Sequence, residues 1–381
     1  MTRPFHSLVF YLSLVCLSGC VEVYQPPDVP ADIDLLVVDG FINTTGESAT
    51  VRLTYAIPLD TVSQPVPEEN ASVVIEKNDG SEYTLNGKGN GVYEISNTTF
   101  EFSAQYRLHI RTHKSKEYFS DYIGLKRTPP IDSVTWRPDI DGINLLVNTH
   151  DAEGDAQYYI WNYEETWEHV ASFFSTYKMV DGEAFERKFD DRIYRCWDSH
   201  KSTDIIIGNS TLLSQDVIRD FPLTYVKAQS LRLSVRYSIK VQQRTLTKEA
   251  YEFWAQLKRT SESLGGLFDP QPYQVLGNIH SANSTEPVLG YFSGGEVSEQ
   301  RLFIRFAELP NYLLAMHQRA LCNENNVQKL FLDALPQTSN ATLLIDPIYV
   351  QGVGIVGYTF AESICIDCRL SGGTLVQPDF W

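Results

Sequence analysis

The chain has 381 residues, 43% of them hydrophobic and 12% aromatic, which is enough apolar material for a buried core and too much for a disordered chain. Lys and Arg number 31 against 48 Asp and Glu, a formal net charge of −17. A field of that sign repels nucleic acid and anionic lipid and argues against both as partners.

The N-terminus, Met1-Thr2-Arg3 followed by an apolar run from Leu8 to Leu17, has the layout of an export signal. The run is well short of the ~20 residues a helix needs to span a bilayer. Leu17-Ser18-Gly19-Cys20 resembles the lipobox of bacterial lipoproteins, in which the cysteine is acylated and the chain is cut just before it. Residues 1–19 are therefore expected to be a signal peptide and Cys20 the lipidation site, its acyl chains (palmitate among them) holding the protein at a membrane. Removing residues 1–19 deletes Arg3 alone, so 30 basic residues face 48 acidic ones and the charge becomes −18. Residues 20–33, acidic and carrying Pro26, Pro27 and Pro30, read as an extended tether.

Residues 34–127 contain short alternating segments. Val51, Leu53, Tyr55 and Ile57 alternate with polar or small residues, as do Tyr106, Leu108 and Ile110, giving one buried and one solvated face. Asn78-Asp79-Gly80-Ser81 and Gly87-Lys88-Gly89-Asn90-Gly91 supply turns between strands. His109 and His113 would share a helix face, but on a strand four residues separate them by ~13 Å, so they read as surface histidines. The expectation is a β-sandwich of immunoglobulin-like size.

Thr128-Pro129-Pro130 marks a boundary, because paired prolines cannot donate to a sheet ladder. A second β-sandwich is expected over 131–245. Its clearest strand alternates Leu231, Leu233, Val235, Tyr237, Ile239 and Val241 with polar residues. Over 163–202 the alternation breaks into aromatic and acidic residues, which reads as an insertion. Asp151-Ala152-Glu153-Gly154-Asp155 resembles the start of a calcium loop, yet its glycine and twelfth residue are misplaced, and an acidic turn is the better reading.

Residues 246–381 read as a mixed region with one clear helix: Thr247 is its cap, Leu246 and Tyr251 take the staple positions, and Ala250, Phe253, Trp254 and Leu257 share a face. The segment from Leu264 to Phe292 holds aromatics with little periodicity, and Phe268, Asp269, Pro270, Tyr291 and Phe292 are candidates either for a structural clasp or for partner contact. Cys196, Cys322, Cys365 and Cys368 are disulfide candidates with three possible connectivities. The Cys365-Ile366-Asp367-Cys368 spacing also suits zinc, but no second ligand pair accompanies it. No nucleophile elbow, phosphate loop, metalloprotease helix or dinucleotide fingerprint is present, so neither enzyme, cofactor nor metal is expected.

Leu36-Val37-Val38-Asp39-Gly40-Phe41-Ile42, Pro129-Pro130-Ile131-Asp132-Ser133-Val134, Gly277-Asn278-Ile279, Val288-Leu289-Gly290-Tyr291-Phe292 and the ending Pro378-Asp379-Phe380-Trp381 form a set of specific phrases. With Phe268-Asp269-Pro270 and the Cys365–Cys368 pair, they resemble a family of Bacteroidota outer-membrane lipoproteins built on a domain of unknown function. The resemblance implies a lipid-anchored accessory protein, facing the cell surface, beside an outer-membrane β-barrel such as a TonB-dependent receptor. A surface part of an assembly or secretion complex and a surface hydrolase are the alternatives.

Overall fold

The computed structural model describes residues 35–57, 64–262, 277–283, 286–316, 322–332 and 342–381. Strands dominate, and Lys248–Glu262 is the long α-helix among the described residues. Cys20, the tether and Phe268, Asp269 and Pro270 lie outside them.

In the first unit, Leu36–Asn43 buries Leu36, Val38, Gly40 and Ile42 and turns the residues between them outward, as its alternation requires. It pairs antiparallel with Ser48–Tyr55, which buries Val51 and Leu53. Glu82–Gly89 pairs with Ser72–Lys77 through its first half and with Val92–Ser96 through its second. One continuous ladder of strands thus folds back on itself as a sandwich. Its core contains Val38, Leu53, Ile75, Tyr106, Leu108 and Phe292.

The second unit opposes the sheet Ile131–Pro138, Gly142–His150 and Val217–Lys227 to a larger sheet built on Tyr158–Val170, Arg236–Thr245 and Ser298–Arg305. Ile143, Leu145 and Val147 from one layer meet Trp161, Tyr237, Ile239 and Val241 from the other in a single core. The architecture is therefore mainly β with two sandwich units, as the alternating segments indicate.

Three stretches depart from the sequence reading, each for a physical reason. The expected insertion at 163–202 contains two paired strands, Tyr158–Val170 and Arg195–Lys201. The former is covered on both faces: Trp161 enters the sandwich core, while Ile160 packs under the helix and Glu168 under the C-terminal segment. A strand buried on both sides loses the alternation that would reveal it. The excursion is limited to residues between these strands, and its hairpin Tyr177–Val180 with Glu183–Glu186 packs against the C-terminal strands.

The expected strand at Leu231 starts at Arg236 instead, because Leu231–Leu233 forms a 3-10 turn. Ser230 and Ser234 donate their hydroxyls to the carbonyls of Lys227 and Leu231, each at 2.7 Å, a local bond that competes with a ladder.

Residues 246–381 are not a separate unit. Ile279–Ser281 pairs with Glu117–Ser120, Val288–Gly295 lies parallel to Leu36–Asn43, and Ser298–Arg305 pairs with Arg236–Thr245. The chain returns to complete both sandwiches. Among the described residues of this region, Gln328–Phe331, Thr342–Val350 and Gly354–Glu362 form a sheet of their own.

The helix is capped as its sequence indicates, Thr247 Oγ1 accepting the Ala250 amide at 3.2 Å. Leu246 and Ala250 pack with Tyr158, Ile160, Tyr251, Trp254 and Tyr291, so the helix is wedged between strands of both units.

Candidate binding surfaces

Tyr291 and Phe292, candidates for partner contact, sit instead at the joint between the helix and the first unit. Tyr291 is half-buried with its ring 5.1 Å from that of Phe253, and Phe292 is 0% exposed within the core. Two neighbouring motif glycines explain how the segment fits. A Cβ on Gly277 would lie 1.6 Å from the Gly290 carbonyl oxygen, and one on Gly290 would lie 1.9 Å from that of Val38. Gly290 also has φ +137°, so both positions require glycine. The clasp reading applies to Tyr291 and Phe292.

The four cysteines form two disulfides, Cys196–Cys368 and Cys322–Cys365. Cys365 and Cys368 therefore do not bond each other. Ser363–Cys365 and Cys368–Ser371 are successive 3-10 turns, and each sends its cysteine to a different part of the chain. Cys368 ties the turn to Arg195–Lys201 of the second sandwich, reinforced by its amide bonding the Ile193 carbonyl at 2.9 Å. Cys365 ties the turn to the start of the small C-terminal sheet. Sequence spacing alone left all three pairings open.

The small stapled sheet carries exposed apolar side chains. Tyr349 is 68% exposed and Val353 73%, with Val350 beside them at one hairpin end and Phe331 and Leu332 exposed at the end of the edge strand. These are large apolar groups in water without compensating burial, the usual mark of a contact surface.

The other sequence candidates have local partners. The Asp151 carboxylate accepts the amides of Glu153, Asp155 and Ala156, which makes it the organiser of its own loop. His109 stacks on Phe119, and its Nδ1 lies 3.0 Å from Glu76; His113 Nδ1 lies 2.7 Å from the buried Glu68. No group of three or more His, Cys, Asp or Glu among the described residues is arranged to hold a metal ion.

One cavity stands out chemically. Its volume is about 590 Å³, and Glu168, Arg195, Arg236 and Arg305 line it together with Val235 and Phe306. Register explains the convergence: Glu168 lies opposite Arg236, and Arg236 opposite Arg305, on three adjacent strands. Glu168 forms an ion pair with Arg195 Nη1 at 2.6 Å through one oxygen and accepts the Trp381 indole N–H at 3.1 Å through the other. The Arg236 guanidinium lies 4.3 Å from the Phe303 ring centroid and 5.0 Å from that of Trp381. Alternating segments at sequence level do not reveal this site, because its arginines come from three separated strands.

The fold and these surfaces define a disulfide-bonded, two-sandwich β protein with an arginine-lined cavity and exposed apolar side chains on its small sheet. A domain of unknown function, DUF4249, matches residues 24–301, and the chain belongs to that family. Three of the four disulfide cysteines, at 322, 365 and 368, follow the matched span. No curated protein matches the chain.

Proposed function

We propose that this protein is a non-enzymatic accessory lipoprotein, anchored through Cys20 in the outer membrane and facing the cell surface, that docks on a large β-barrel such as a TonB-dependent receptor. The observation that carries the docking role is the exposed group Tyr349, Val350 and Val353 on a sheet held by the Cys322–Cys365 bond. A rigid apolar projection loses little conformational entropy on binding, which favours a protein surface as its partner. The lipobox-like Leu17-Ser18-Gly19-Cys20 and the two disulfides support an exported, membrane-held location.

Photo-crosslinking in intact cells from position 349 or 353, read by mass spectrometry, tests the docking role. A β-barrel adduct is expected, and its absence with both probes overturns the role. Cys20→Ser should abolish labelling by a fatty-acid probe, and retained labelling would refute the anchor.

A further inference from the structure

We propose that the arginine-lined cavity of the second sandwich binds a small organic anion, a carboxylate carried on an apolar body. This role is independent of docking on a barrel.

The charge balance is the first argument. Arg195, Arg236 and Arg305 face one carboxylate, Glu168, so the lining carries +2 in a chain of net charge −17. An acidic protein that gathers three guanidinium groups around one cavity has a local field opposite to its overall one, and that field attracts anions.

The pairing is the second argument. Glu168 is committed to Arg195 and to Trp381. Among the described residues Arg236 has no ion pair, and its buried Nε has no hydrogen-bond partner. Arg305 is exposed at the rim and makes no ion pair among the described residues. The Phe303 and Trp381 rings, 4.3 and 5.0 Å from the Arg236 guanidinium, hold the cation against aromatic surfaces and do not neutralise its charge. Guanidinium groups of this kind bind carboxylate through two parallel hydrogen bonds.

The walls determine the rest of the ligand. Val170, Leu231, Val235 and Phe306 line the cavity beside the arginines, and its 590 Å³ falls within the range of small-molecule sites. Inorganic phosphate would leave those walls against water, whereas an apolar acid covers them and places its charge on the guanidinium groups.

Isothermal titration calorimetry of the whole mature chain with N-acetyl-phenylalanine, N-acetyl-leucine, their neutral amides and inorganic phosphate tests this assignment. Both acids should bind, and the amides at least tenfold more weakly. Arg305→Gln, a rim change, should weaken acid binding at least tenfold with the thermal midpoint unchanged. Absence of binding by either acid, equal binding of acid and amide, or an Arg305→Gln variant of full affinity would overturn the site. Phosphate binding as tight as that of the acids would overturn the apolar-body assignment.

Discussion

Asn278 serves as a ladder partner for Phe292: its side-chain Nδ2 donates to the Phe292 carbonyl at 2.8 Å, and its Oδ1 accepts the Phe292 amide at 2.8 Å. One amide side chain thus satisfies both backbone groups of a buried residue on a strand that runs parallel to Leu36–Asn43. Asn278→Ala would leave two buried backbone groups unpaired. The expected cost is about 2–5 kcal/mol, read as a lower denaturant midpoint. An unchanged midpoint would show that the pairing does not support the joint.

The disulfide pattern predicts a specific peptide map. Non-reducing digestion should recover Cys196 linked to Cys368 and Cys322 linked to Cys365, with no Cys365–Cys368 peptide. Cys368→Ser should lower stability by roughly 2–5 kcal/mol, since the bond closes a separation of 172 residues. A variant with an unaltered thermal midpoint would contradict the stapling role.

Inside the second sandwich Glu165 is 0% exposed, 2.9 Å from Arg232 Nη1, and accepts the Tyr237 hydroxyl at 2.5 Å. Arg232→Met removes the cation and leaves a buried carboxylate, at an expected cost of about 3–5 kcal/mol. Adding Glu165→Gln should recover much of that loss, because the charge is gone and an acceptor for Tyr237 remains. Additive losses in the double variant would refute the pairing.

The turn that carries both bridges is acid-sensitive. Burial pushes the Asp367 carboxyl up, but hydrogen bonds from the Arg369 side chain and amide outweigh it and hold it below the usual carboxylate range. Ionised Asp367 therefore stabilises the fold at pH values above that range, and the contribution fades as pH falls through the lowered folded-state value. Asp367→Asn should have a lower thermal midpoint than the wild type at pH 7, with the gap closing as pH falls below the usual carboxylate range. A gap that persists on acidification would exclude the charge as its source.

Local chemistry determined what is local. Val51 with Leu53, and Tyr106 with Leu108 and Ile110, alternate because one face of their sheet is dry, so their strands could be read from neighbours alone. Thr247 caps its helix through a bond three residues away, and Asn78-Asp79-Gly80-Ser81 turns between adjacent strands for a similarly short-range reason. Tertiary structure decided whatever depends on distant segments. Tyr158–Val170 hid its period because the C-terminal segment and the helix cover the face that would otherwise be wet. The partners of Cys365 and Cys368 depend on which strands lie beside a turn, and three-residue spacing carries no information about that. Arg236 and Arg305 meet Glu168 because strand register sets these three in one row, and Arg195, opposite Val170, joins them from two residues along; pairing across a sheet is a property of the assembled ladder, which no stretch of chain encodes by itself.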